Sequence, residues 1–219
     1  MTQVRSVFLV LLAGSCLAWG QSPVAVVKPG APCQPSTVEK AVPAFHDRGY
    51  TEADVAFMQG MIHHHMQALQ MVAMIPSHTR NPELGLLGEK IRISQGDEIK
   101  MMQAWLRARG QAIPQHAPGG MSPTRMAMLL AGKPMPPMSG MLTDPQMQAL
   151  YAARGARFDY LFLTGMIQHH TGALAMVAEL RDQSGSGLEP NIADFITGVD
   201  TDQRMEIDRM NGLLGRTSR

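Results

Sequence analysis

The chain has 219 residues, enough for one large or two small domains with a sizeable core. Its 19 Lys and Arg nearly balance its 18 Asp and Glu, with no long run of one sign, so the basic footprint of a nucleic-acid binder is absent. Methionine is the outlier: 19 residues against 6 Phe, 3 Tyr and 2 Trp, which reads either as adaptable core filler or as a supply of soft thioether ligands.

Residues 1–20 carry Arg5, an apolar run from Val7 to Leu12 and a small-residue end at Ala18-Trp19-Gly20. This pattern predicts a secretory signal peptide and hence export to a periplasmic or extracellular location. Lipidation at Cys16 is the secondary expectation, from the looser match of Ala13-Gly14-Ser15-Cys16 to a lipoprotein box. With cleavage after Gly20, Cys33 is the only remaining thiol, so no intramolecular disulfide forms. The apolar run is too short for a good transmembrane span, and the mature chain has no other long apolar stretch. Residues 21–49, with Pro23, Pro29, Pro32, Pro35 and Pro43, read as an extended linker.

From residue 50 the chain reads as one domain built by repetition. DVAFMQGMIHHHMQALQMVAM from Asp54 aligns without gaps on DYLFLTGMIQHHTGALAMVAE from Asp159, with 12 identities in 21 positions. Gln95, Glu98, Ile99, Met102 and Leu106 recur in the same order as Gln203, Glu206, Ile207, Met210 and Leu214. A helical hairpin used twice predicts repeat one over 50–110, a crossover over 111–157 and repeat two over 158–216. The fold expected is an all-α, antiparallel four-helix bundle.

Local signals place the helices. Thr51 is the N-cap of the first helix, with Asp54 at N3, and Pro76 is expected to end it at Ile75. Asn81-Pro82 starts the second helix, which is expected to run to Gly110. The third should begin near Phe158 and the fourth near Pro190. The proline-rich crossover predicts two short helices, starting at Ser122-Pro123 and Asp144-Pro145, and holds Met135, Met138 and Met141 in the run MPPMSGM.

At about 100° per residue, Asp54, Met58, Met61, His65, Leu69 and Val72 share one face of the first helix. Asp159, Leu163, Met166, His170, Leu174 and Val177 repeat it. His64 and His65 recur as His169 and His170, whereas His63 is replaced by Gln168, which reads as a solvated position and makes His63 a bystander or a peripheral ligand. In an up-down bundle the first and third helices run parallel, so His65 and His170 are expected at similar heights across a common interior. Glu98 and Glu206 fall on otherwise apolar faces, and a buried carboxylate needs a partner such as a core imidazole. Each is a candidate to orient a histidine or to bind a metal directly.

Three residues before His64 and His169, where di-iron bundles carry Glu, stand Met61 and Met166. Thioether with imidazole favours copper, with thioethers selecting Cu(I); zinc and iron fit the methionines less well. Asp54, Met58, Met102, Asp159, Met210, Met135, Met138 and Met141 are additional candidates as ligands or as supports for ligands. The competing account of each residue is ordinary: a hydrogen-bonded core histidine and a methionine used for packing.

The motif D-x-x-F-x-x-x-M-x-x-H-H-x-x-A-L-x-M-V-A, present at Asp54–Ala73 and again at Asp159–Ala178, resembles the signature of the domain of unknown function 305 family. Gln95, Glu98, Ile99, Met102 and Trp105-Leu106 resemble its second helix. The resemblance implies a ferritin-like four-helix bundle, export, and in some members copper binding and copper tolerance. Carried over by position, it implies Met61, His64, His65, Met166, His169 and His170 as metal residues. The fourth helix departs from the pattern, with Gly212-Leu213 where the second has Ala104-Trp105.

The functional expectation is a copper-binding protein, holding Cu(I), Cu(II) or both, that sequesters copper or hands it to another exported copper protein. A copper- or iron-dependent oxidase and a metal-free, Met-rich interaction module are the alternatives. No nucleophile–base arrangement or cofactor-binding glycine motif stands out.

Overall fold

The computed structural model describes residues 49–114 and 138–217. The expected signal peptide, nearly all of the expected proline-rich linker, the helix expected at Ser122-Pro123 and Met135 lie outside the described residues. Within them are five helices: α1 Glu52–His78, α2 Pro82–Ala108, α3 Asp144–Ala152, α4 Gly155–Arg181 and α5 Pro190–Thr217.

The starts follow local chemistry. Thr51 accepts from Asp54 N while its own backbone N–H donates to the Asp54 carboxylate, closing the expected capping box. Asn81 caps α2 through Glu83 N with Pro82 at N1, and Thr143 with Gln146 makes a second capping box on α3. Three expected boundaries move. α1 runs through Pro76 to His78, because a proline in the last turn forfeits little of the hydrogen-bond ladder, and Thr79 N still closes on Ile75 O. α2 stops at Ala108, with Gly110 at φ 64° just beyond. α4 begins at Gly155, whose φ of 53° turns the chain directly out of α3, rather than at Phe158.

α1 pairs with α2, α4 pairs with α5, and the two hairpins meet along α1 and α4. The direction of that meeting is set by the ends. Gly187, in the turn after α4, donates its N–H to Asp54 Oδ1 at the start of α1 (2.7 Å), and Asn81, in the turn after α1, donates to Asp159 Oδ2 at the start of α4 (2.9 Å). α1 and α4 are therefore antiparallel, and the two repeats are related by an approximate two-fold axis perpendicular to them. This corrects the expectation of parallel first and third helices. The order is up-down-down-up, the ferritin-like arrangement.

α2 and α5 are linked at their ends and also run antiparallel. Trp105 and Arg109, near the end of α2, hold Glu189 just before α5 (3.1 and 3.0 Å), and Arg216 near the end of α5 reaches Glu83 at the start of α2 (2.9 Å). The core is consequently split in two. One apolar cluster joins the first half of α1 to the second half of α4 and includes Met58, Met61, Met102 and Val177; the other includes Met71, Phe158, Phe162, Met166 and Met210. Between them lies a layer of buried polar side chains.

Candidate metal centre

That polar layer is built from the repeat. His64, His65, His169 and His170 are all fully buried, and each helical hairpin supplies two of them from one turn of its first helix. Residues at i and i+1 diverge by about 100° around a helix, so in each pair one imidazole faces the neighbouring hairpin and the other faces its own second helix.

His65 Nε2 lies 2.5 Å from Glu98 Oε2, and His170 Nε2 lies 2.7 Å from Glu206 Oε2. The partnership expected for the two carboxylates is present in both repeats. Glu206 is the more enclosed, its side chain 3% exposed against 17% for Glu98, and Lys90 approaches its second oxygen at 3.6 Å. The equivalent of Lys90 in the other repeat is Gly198, so Glu98 has no matching lysine.

The rings that meet across the dyad are His64 and His169, not His65 and His170. Their centroids are 3.8 Å apart with planes inclined at 39°. His169 Nε2–H donates to the His64 carbonyl (2.8 Å), and His64 Nε2–H donates to the Ser139 carbonyl in the crossover (3.0 Å). Carbonyl oxygens only accept, so both rings carry their proton on Nε2. In His65 and His170 it is again Nε2 that is engaged, by the carboxylate oxygen of Glu98 or Glu206. The Nδ1 atoms of all four rings are buried without a hydrogen-bond partner, as are both amide atoms of Gln95 and the Oε1 of Gln203.

Burial, reinforced by neighbouring imidazoles, keeps the central pair neutral. Desolvation lowers the His64 pKa to about 3, with His65 and His170 adding to the effect and the Ser139 hydrogen bond opposing it. Desolvation together with His64, His170 and His65 holds His169 well below the usual imidazole range. Neutral imidazoles with bare Nδ1 lone pairs are chemically suited to metal ligation, with no proton to displace near pH 7. As placed, however, no three His, Cys, Asp or Glu side chains among the described residues are grouped to hold one ion.

The methionines bracket this layer. Met61 and Met102 lie in the apolar cluster on one side and Met166 and Met210 in the cluster on the other, all fully buried. Met58 sits in the first cluster, with Leu163 at its equivalent. Asp54 and Asp159 are at the bundle ends, where they cap α1 and brace the turns, away from the histidine layer. His63 is 7% exposed, which corrects its expected place on a solvated face; only its counterpart Gln168 is exposed.

The layer is sealed by a segment with no place among the sequence-based expectations. Residues 138–143 of the crossover strap the α1–α4 groove at the dyad. Gln67 clamps it with both amide atoms, donating to Leu142 O (3.0 Å) and accepting from Leu142 N (2.7 Å). At the equivalent position of α4 stands Gly172, where a Cβ would lie 2.1 Å from Ser139 O and 2.4 Å from Gly140 Cα. This Gln-for-Gly mismatch between the repeats was the available signal. Met138 and Met141, expected as crossover ligands, are half-buried members of the strap or its edge.

The sequence profile of the Domain of unknown function (DUF305) family matches residues 54–214. The chain belongs to this family. Among solved DUF305 structures, a fragment from Deinococcus radiodurans is 28% identical with a TM-score of 0.61, covering 76% of this chain and 98% of that one. A DUF305 protein from Streptomyces coelicolor, described as a candidate secreted protein, is 27% identical with a TM-score of 0.60, covering 76% and 94%. CopM, solved in its Cu(II)-bound form, shares the fold at 24% identity and a TM-score of 0.53, covering 74% and 96%. No curated protein matches the chain.

Proposed function

We propose that the protein is an exported copper-binding protein that sequesters copper or hands it to another exported protein. The observation that carries this reading is the set of four buried Nδ1 atoms, none hydrogen-bonded, arranged in equivalent pairs about the dyad. Leaving a buried polar atom unpaired costs about 1–3 kcal/mol, and an incoming soft cation would relieve that cost. His64, His65, His169 and His170 would supply imidazole nitrogen, and Met61 and Met166, with Met102 and Met210 behind them, thioether sulfur. Glu98 and Glu206 hold His65 and His170 by Nε2, as carboxylates do for metal-bound imidazoles.

Cu(I), a closed-shell ion, is satisfied by two or three soft donors, so a pair of imidazoles or an imidazole with a thioether is enough. The copper-bound relative CopM supports the choice of metal at the level of the fold, without transferring residues. Export is supported by the signal-like segment 1–20 and by the candidate secreted relative.

One observation favours a second reading. Because no three His, Cys, Asp or Glu among the described residues are grouped to hold an ion, the layer would instead be a metal-free polar core that fixes the register of the two hairpins. A Cu(I) titration against a competing chelator separates the two, using wild type, His65→Ala and His170→Ala. Copper binding at the layer requires each substitution to weaken affinity by about tenfold or more, roughly 1.4 kcal/mol. Undiminished affinity in both variants would assign the layer to structure.

A further inference from the structure

The approximate dyad places two equivalent glycines, Gly60 on α1 and Gly165 on α4, where the strap crosses the groove. Each lets a methionine of the opposite helix approach closely: a Cβ on Gly60 would meet Met176 Cε at 3.4 Å, and one on Gly165 would meet Met71 Cε at 3.3 Å. The strap then makes the two notches chemically different. At Gly60 the second neighbour is Met138 Cε at 3.6 Å; at Gly165 it is Leu142 Cδ2 at 3.0 Å.

Exposure follows the same division. Met138 and Met176 are both half-buried, whereas Met71 is fully buried and Leu142 is 6% exposed. One turn beyond Gly60 on the same face of α1 is His63; one turn beyond Gly165 is Gln168. Two half-buried thioethers thus meet at one notch, with an imidazole one turn along the helix, where the other has a leucine, a sealed methionine and, one turn along, an amide. Packing alone gives no reason for this difference, since leucine fills the equivalent place beside Gly165.

We infer that Met138 and Met176, with His63 beside them, form a soft-metal capture site at the Gly60 notch, which takes Cu(I) or Ag(I) from outside the bundle and lies next to the buried histidine layer. The choice of ion rests on the copper reading above; the site itself is separate from the layer. Two flexible thioethers can turn their sulfurs onto a soft monovalent ion without disturbing the helices, and such donors discriminate against hard cations.

Ag(I), redox-inert and soft, is the probe. Full-length protein labelled at the methionine methyls is titrated with Ag(I) and followed by NMR, with Met138→Leu and Met176→Leu both assigning the signals and testing the site. Leucine conserves volume, and far-UV circular dichroism checks that each variant is folded. The expected result is that the Met138 and Met176 methyls shift first, that Met71 does not move with them, and that each leucine variant lowers Ag(I) affinity by about tenfold. Wild-type affinity in the double leucine variant, or simultaneous movement of Met71, would overturn the site. The double variant His65→Ala, His170→Ala separates this from the copper reading, because it leaves the early Met138 and Met176 shifts intact even if the buried layer never binds metal.

Discussion

His64 and His169 occupy the same position in the two repeats and pack against each other at the dyad, ring centroids 3.8 Å apart, with the His169 imidazole donating to the backbone carbonyl of its own counterpart. Two like side chains can meet in this way only where the axis relating the repeats passes between them. The contact is therefore the point from which the rest of the molecule can be laid out.

The pair makes metal-free stability depend on pH. Folded His64 has its pKa lowered to about 3 and His169 is well below the usual value near 6.5, so the unfolded chain takes up protons that the folded chain refuses. Their contribution is complete above pH 6.5 and is lost as pH falls from there toward 3, at about 1.4 kcal/mol per pH unit for each ring. Urea midpoints of chelator-treated protein at pH 7.5, 5.5 and 4.5 should fall in that order. A midpoint unchanged down to pH 4.5 would contradict the buried neutral pair.

Gly172 and Gly198 are both helical glycines, yet they should respond oppositely to alanine. At Gly172 the new Cβ would collide with Ser139 O and Gly140 Cα, pushing the strap from His64; at Gly198 nothing lies within 4 Å. Gly172→Ala should cost about 1–3 kcal/mol by overpacking. Gly198→Ala should gain about 0.5–1 kcal/mol from helix propensity. Chemical denaturation of the two variants beside wild type checks both signs at once.

Asp54 and Asp159 are equivalent in sequence but not in consequence. Asp54 accepts from the N–H and hydroxyl of Thr51 and from Gly187 N, whereas Asp159 accepts from Asn81 and leaves Oδ1 unpartnered. Asp54→Ala should therefore destabilise by about 2–4 kcal/mol and Asp159→Ala by about 1–2 kcal/mol. Equal thermal or urea stability of the two variants would show that these hydrogen bonds do not set the difference.

Removing a carboxylate should be felt more in repeat two. Glu206→Ala strands the Nε2–H of His170, where both side chains are at most 3% exposed, and should cost about 1–3 kcal/mol; Glu98→Ala, partly open to water, should cost less. If the layer holds copper, each substitution also weakens Cu(I) by about 10–100-fold through loss of imidazole orientation. The chelator competition reads that effect independently of stability.

Much of this layout was legible in the residues. The 3.6 periodicity of the doubled segment, the Thr51 and Asn81 caps and the lone carboxylates on apolar faces were enough to derive the helices, the repeat and the pairing of Glu98 and Glu206 with buried histidines. Each of these depends on spacing within one hairpin, where helical geometry converts sequence separation directly into neighbourhood.

Tertiary structure decided the rest. Periodicity says which face of α1 and α4 is buried, but not the direction in which the two faces meet. α4 runs antiparallel to α1, so His64 meets His169 while His65 and His170 turn to their own glutamates. The burial of His63, the clamp of Gln67 on Leu142 and the contact of Gly172 with Gly140 belong to the same class. They join residues about 30 to 75 positions apart, and in the sequence they were visible only as places where one repeat departs from the other.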